Sequence, residues 1–135
     1  MIDHLSLGVS NLAAARQYYD RVLASLGYVR LRDVDIPGQG LVAHGYGEKG
    51  GNSSFWIGVP EQVKPESNRC GGVHLAFAAR SRADVDAFHA AALAAGGTDN
   101  GAPGLRPQYH ADYYGAFAFD PDGNKIEACC HHPEP

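Results

Sequence analysis

Residues 2–9 alternate in polarity. Leu5, Leu7 and Val9 face one way and His4, Ser6 and Gly8 the other, which is the period of a half-buried strand. From residue 12 the period lengthens to that of a helix, with Leu12, Ala15, Tyr19, Val22, Leu23 and Leu26 as its apolar stripe. Ser10 or Asn11 can cap this helix and Gly27 ends it. Strands are predicted near 28–35, 40–46 and 53–59, divided by Pro37-Gly38 and by the Gly-rich stretch 47–52. The same order then returns. Val73, Leu75 and Phe77 alternate with His74, Ala76 and Ala78, and Ser81 with Asp84 three residues on resembles a capping box. The second helix carries Val85, Phe88, Ala92 and Leu93 and stops at Gly96-Gly97. A Gly/Pro-rich loop is expected over 99–111, followed by strands at 113–119 and 124–130 joined by the turn Asp120-Pro121-Asp122-Gly123.

The return is a repeat. An ungapped comparison of 4–27 with 74–97 keeps His4/His74, Leu5/Leu75, Ala13/Ala83, Leu23/Leu93, Ala24/Ala94 and Gly27/Gly97, with Tyr18 set against Phe88. The matches fall on equivalent points: the strand start, the helix stripe and the helix-ending glycine. A βαβββ unit duplicated and packed on itself brings a group from each copy to the symmetry axis. Two histidines placed this way make half of a metal site. The units run from about 1–60 and 72–131, and the segment 60–71, with Pro60, Pro65 and Gly71, reads as their linker.

Length and charge narrow the field. At 135 residues the chain suits one domain with a real core. A formal net charge of -4 with scattered Lys and Arg gives no basic stripe and argues against nucleic acid. No run approaches ~20 apolar residues and the N-terminus lacks a signal pattern, so a cytoplasmic protein without membrane contact is expected. Three cysteines, two of them adjacent, make a poor disulfide framework.

The duplicated unit, the opening His4-Leu5-Ser6-Leu7-Gly8-Val9-Ser10, the second Gly72-Val73-His74-Leu75-Ala76-Phe77 and the close Phe119-Asp120-Pro121-Asp122-Gly123-Asn124-Lys125-Ile126-Glu127 are together similar to the vicinal oxygen chelate superfamily. Glyoxalase I, fosfomycin-modifying thiol transferases, extradiol dioxygenases, methylmalonyl-CoA epimerase and bleomycin-binding proteins belong to that superfamily. The resemblance covers nearly the whole chain and implies an α+β, glyoxalase-like fold, with two tandem βαβββ units curling into a cup-shaped mixed sheet and the helices outside.

It also implies a ligand set. His4, His74 and Glu127 match the family's metal positions, and period two independently sets Glu127, with Lys125 and Cys129, on the face opposite Ile126 and Ala128. Two imidazoles and a carboxylate suit one divalent ion of Zn, Mn, Fe, Co or Ni. The chain departs from glyoxalase I at the fourth ligand. Ser53-Ser54-Phe55-Trp56-Ile57-Gly58-Val59 puts Trp56 or Ile57 opposite Glu127 and contains no acid, and Glu48 and Glu61 lie outside that strand. Ordinary glyoxalase I chemistry is therefore not expected.

For the substrate, Trp56 closes one wall of the cup, and the segment 105–114 supplies recognition groups on a loop. Arg106 is the candidate for an anionic group, and His110 or Tyr114 for an acid/base partner to the substrate oxygen. Tyr109, Tyr113 and His44 are further lining candidates. Cys129-Cys130-His131-His132 resembles a zinc run, but adjacent strand residues point to opposite faces. Cys129 alone shares the face of Glu127.

The leading functional reading is a metal-dependent lyase or isomerase, glyoxalase-like in the broad sense, acting on a small oxygenated molecule. A thiol transferase of the fosfomycin-resistance type, an extradiol dioxygenase and a metal-free bleomycin-type binding protein are the alternatives; no Lys/Arg cluster for a phosphonate is evident. Because half-cups must pair to close a site, within one chain or by exchange between two, a homodimer is expected.

Overall fold

The computed structural model describes residues 2–59 and 73–134. The expected linker 60–71 lies wholly outside the described residues. Both periodicities yield the elements they predict. The first unit is β1 (Leu5–Gly8), α1 (Leu12–Ala24), β2 (Tyr28–Ile36), β3 (Gly40–Glu48) and β4 (Phe55–Gly58); the second is β5 (Leu75–Ala78), α2 (Arg82–Ala94), β6 (Thr98–Leu105), β7 (Tyr114–Phe119) and β8 (Lys125–Cys130). Each unit forms its own four-stranded mixed sheet, in the orders β1-β4-β3-β2 and β5-β8-β7-β6. The first and last strands of a unit pair in parallel, and the remaining pairs are antiparallel.

One expectation fails in the second unit. Thr98–Leu105 is strand, not loop, although it contains two glycines and a proline. It pairs with β7 through register shifts at Gly101 and Gly104, and those irregularities hid the period from the sequence.

The helices end as their sequences foretell. The Asn11 side chain accepts the Ala14 backbone N–H at 2.9 Å, and Ser81 accepts that of Asp84 at 3.1 Å. Gly27 at φ +81° and Gly96 at φ +104° leave the helices in a left-handed conformation that favours glycine. The stripe of α2 needs one correction. Leu93 is 40% exposed, while Val85, Phe88, His89 and Ala92 are buried. These four sit at i, i+3, i+4 and i+7; Leu93, at i+8, would continue the stripe as Leu23 does in α1, yet it is exposed. His89 escapes a hydrophobic reading because an imidazole is polar; its Nε2, 2.8 Å from Asp99 Oδ1, has the partner that burial requires.

One continuous core lies between the helices and one face of each sheet. Phe55 of the first unit meets Phe77 of the second edge-on at 5.2 Å, and Tyr19 packs at 5.1 Å from Phe55. Truncating such a bridging phenylalanine costs about 3–5 kcal/mol. Polar bonds tie the same seam: the Tyr19 hydroxyl donates to Asp120 at 2.7 Å, the Ser10 N–H to Asp122 at 3.1 Å, and the Tyr28 hydroxyl to the Ala78 carbonyl at 3.0 Å. Among the described residues no helix is long and apolar enough to cross a membrane.

Candidate functional site

Because β8 is central, its two faces separate cleanly. Ile126, Ala128 and Cys130 are buried on the helix side, leaving Lys125, Glu127 and Cys129 on the other. Glu127 is only 1% exposed, yet both its oxygens are partnered. Oε2 lies 3.0 Å from His74 Nε2, and Oε1 accepts a bond from the Tyr113 hydroxyl at 2.5 Å. A carboxylate so removed from water persists only with such partners. Gly115 clears the space, since a Cβ there would stand 3.1 Å from Glu127 Oε1. Burial first, and then its bond to Glu127, push the Tyr113 phenol far above its usual pKa. Its hydroxyl therefore stays a donor throughout the physiological range. Burial likewise raises the Cys129 thiol, with the Tyr113 bond opposing.

In the first unit β1 carries the other histidine. Ser6 pairs with Trp56 as Ala76 pairs with Glu127, and each stands two residues after its histidine. Trp56, not Ile57, thus occupies the counterpart of Glu127, and Ile57 is fully buried on the helix side. The indole lies over Gly45, where a Cβ would come within 2.8 Å of two ring carbons. Trp56 and His4 line a groove of about 560 Å³ with Ser6, Ile36, Gln39 and Val59, all of them first-unit residues. His4 Nδ1 is 2.6 Å from Asp3 Oδ1. The volume is thus in one unit and the buried carboxylate in the other.

The donors suit a divalent ion. Two ligand atoms on an ion at ~2.0–2.2 Å sit about 3 Å apart when cis, the spacing of His74 Nε2 and Glu127 Oε2. Among the described residues of a single chain, however, no three His, Cys, Asp or Glu side chains gather into a metal-holding group. The structure brings His74 and Glu127 together and leaves His4 on the separate face of the first unit.

The other candidates divide. Tyr113 touches Glu127, while Tyr114, favoured from sequence as an acid/base group, points to the helix side. There its hydroxyl donates to Asp86 at 2.8 Å and its ring lies under Arg82. Adjacent residues at the start of β7 take opposite faces, so Tyr113 and not Tyr114 stands beside Glu127. His44 does not line the cup: it pairs across from Ile57, is 2% exposed, and its Nδ1 lies 2.7 Å from Asp33 Oδ1. His110 is exposed, with Nε2 at 2.8 Å from His131 Nδ1; His131 Nε2 in turn lies 3.8 Å from Cys129 Sγ. Tyr109 is 60% exposed and meets Tyr113 edge-on. Arg106 lies over the Phe117 ring. Cys129 and Cys130 take opposite faces of β8, as the spacing required. Sequence reasoning missed Tyr113 as the carboxylate's partner, and it placed Lys125 on the right face without giving it a role.

Residues 1–128 match the family model described as Glyoxalase/Bleomycin resistance protein/Dioxygenase superfamily. A glyoxalase/bleomycin resistance protein from Albidiferax ferrireducens T118 is similar over 95% of this chain and 97% of its own, with 34% identity and a TM-score of 0.79. A glyoxalase-related enzyme from Fulvimarina pelagi shares 18% identity over 96% of this chain and 87% of its own, with a TM-score of 0.70. The fosfomycin resistance protein FosX from Listeria monocytogenes shares the fold at 14% identity, covering 98% of this chain and 93% of its own, with a TM-score of 0.67. No curated protein matches the chain.

Proposed function

Since the chain belongs to the glyoxalase/bleomycin resistance protein/dioxygenase superfamily, we propose that it is a metal-dependent lyase or isomerase acting on a small oxygenated molecule, with His74 and Glu127 as ligands and His4 as the third. The observation that carries this reading is the buried Glu127 carboxylate, partnered at 3.0 Å by His74 and on its other oxygen by Tyr113. A divalent cation held there supplies a Lewis acid for the substrate's oxygens. The chain's own residues do the rest. Tyr113 fixes the Glu127 carboxylate, the buried Phe117 ring packs against His74 beside it, and Trp56 walls the opposite half-cup.

His4 reaches this centre in a homodimer, where the first-unit groove of one chain closes over the His74 face of the other. The groove's rim supports this, because Ile36 and Val59 are 37% and 46% exposed there. With Trp56 at the counterpart of Glu127, the site has one carboxylate instead of two. The second carboxylate, general base of glyoxalase I, is missing, and positioned bases commonly contribute ~10²–10⁴-fold. Turnover of the hemithioacetal of methylglyoxal and glutathione is accordingly expected to be weak with Zn, Ni, Co or Mn supplied.

Elemental analysis of protein prepared without chelator tests the assignment. About one metal per chain is expected, falling sharply in His74→Ala; equal metal in both proteins would defeat it. One observation favours a thiol transferase of the fosfomycin-resistance type as the second reading: Arg106 and Lys125 both reach Phe117 beside Glu127, a pair of cations the linear sequence conceals.

A further inference from the structure

Phe117 of β7 stands directly across from Glu127 of β8. Three nitrogen-bearing groups surround its ring. Lys125 Nζ is 4.7 Å from the ring centroid, Arg106 Cζ 5.9 Å, and the His74 ring meets it edge-on at 5.8 Å. Lys125 owes its place to period two, being on the same face of β8 as Glu127. Arg106 arrives from the end of β6 and folds back along that strand, where one terminal nitrogen donates to the Ala102 carbonyl at 2.8 Å and the other to the Leu105 carbonyl at 3.3 Å.

The strand is cleared for it. A Cβ at Gly104 would stand 3.1 Å from the guanidinium, and one at Gly101 would lie 3.2 Å from the Phe117 ring and 3.6 Å from the guanidinium. A side chain at Gly104 would crowd the guanidinium, and one at Gly101 would press on the ring beneath it. Two backbone carbonyls use two of the five N–H donors and leave the rest for a ligand. Among the described residues, neither Arg106 nor Lys125 meets a carboxylate; their partners are those two carbonyls and the phenyl face. Glu127, on the same face, is already partnered by His74 and Tyr113, so the two cations turned toward one aromatic ring have charge to offer an anion from outside.

We propose that Arg106 and Lys125, both held against the buried Phe117 ring, form an oxyanion subsite, so that the substrate carries a carboxylate or phosphoryl group. The inference rests on reading His74 and Glu127 as the reaction centre, and it names the charge of what that centre acts on. The guanidinium supplies the preset part, since its fork is held before any ligand arrives and little freedom is lost on binding. The flexible Lys125 ammonium adds the second charge.

Calorimetric titration of the full chain with phenylphosphonate, benzoate and neutral benzyl alcohol tests this, in wild type, Arg106→Gln and Lys125→Met. The lysine substitution keeps the stem's packing against the ring and removes the charge. At least one anion is expected to bind more tightly than benzyl alcohol, to lose about tenfold in affinity in each variant and to weaken as salt is raised. The anion that binds tighter identifies the oxyanion as phosphoryl or carboxylate. Benzyl alcohol binding should be the same in all three proteins. The proposal is overturned if neither anion outbinds benzyl alcohol, or if both variants bind the anions as wild type does. Metal content separates the two readings. It should stay at the wild-type level in Arg106→Gln and Lys125→Met, whereas its loss in His74→Ala reports on the reaction centre alone.

Discussion

Replacing Tyr113 with phenylalanine removes one oxygen atom and keeps the ring, so its edge contacts with Tyr109 and His110 survive. What disappears is the donor to Glu127 Oε1. That carboxylate is 1% exposed and keeps only His74 on its other oxygen. A hydrogen bond to a charged group is worth about 1.5–3 kcal/mol, and stranding a buried acceptor costs a similar amount. Tyr113 itself is half-buried, and water can follow the lost hydroxyl, which places the loss near 2 kcal/mol. For a chain of this size each kcal/mol moves the melting temperature by roughly 3–5 °C, so Tyr113→Phe should melt about 6–10 °C lower. Tyr114→Phe is the control. Its hydroxyl bonds Asp86 on the helix side at an exposed carboxylate, where water replaces it at a cost of about 0.5–1 kcal/mol, or roughly 2–4 °C. Thermal unfolding followed by circular dichroism gives the first comparison. Metal titration gives the second, because losing a partner that orients a ligand commonly costs 10–100-fold in affinity. Such a loss is expected in Tyr113→Phe alone. If Tyr114→Phe melts lower than Tyr113→Phe, or the two bind metal equally, the account of Glu127 is wrong.

Exchange of half-cups between chains has a sharp signature. His4→Ala and Glu127→Ala chains should each bind little metal alone, but a refolded mixture should recover it, because a heterodimer places both defects in one site and leaves the other intact; no recovery on mixing would mean that each chain closes its own site. The acid limb of stability should trace partly to Asp33, whose carboxyl is held below the usual aspartate range first by its bond to Arg30 and then by His44. Its native pKa is lowered, so its contribution is complete above the ordinary value of about 4 and is lost as pH falls through the lowered one. Melting temperatures of Asp33→Asn should therefore fall less steeply than those of wild type below pH about 4, and parallel curves would count against that attribution.

Period two and period 3.6 sufficed for most elements because the sequence alternates where one face is buried. The failures share a cause. β6 breaks its own period, with register shifts at Gly101 and Gly104, and a chain that leaves the regular ladder cannot be read from alternation. Glu127 was legible because β8 alternates cleanly, with its acid flanked by Ile126 and Ala128. Tyr113 was not, since it precedes β7 by one residue and its face is decided by the turn from His110, where the Tyr113 N–H donates to the His110 carbonyl at 3.1 Å. His44 fell on the helix side because β3 pairs it with Ile57, and strand pairing is tertiary information. Lys125 and Arg106 lie 19 positions apart in sequence and meet only because β6, β7 and β8 are neighbours in one sheet.

The two half-cups show what duplication permits. Registers place Gly45 and Trp56 of the first unit where the second has Phe117 and Glu127. At these paired positions the large aromatic has moved one strand over. In the second unit the ring stands on β7 and leaves β8 free for an acid; in the first it stands on β4, and β3 needs a glycine beneath it. Both faces keep one aromatic surface of similar bulk, but only one keeps the carboxylate. A buried acid has to be solvated by the protein, and the second unit provides for this with His74, Tyr113 and the space left by Gly115. In the first unit His4 stands where the second has His74, but Ala43 replaces Gly115. Ser6 and Gly8 share the face of Trp56, and the Trp56 N–H is turned toward the Ser53 carbonyl at 3.3 Å. A Trp56→Glu substitution would therefore meet His4 but not the space that Gly115 clears for Glu127.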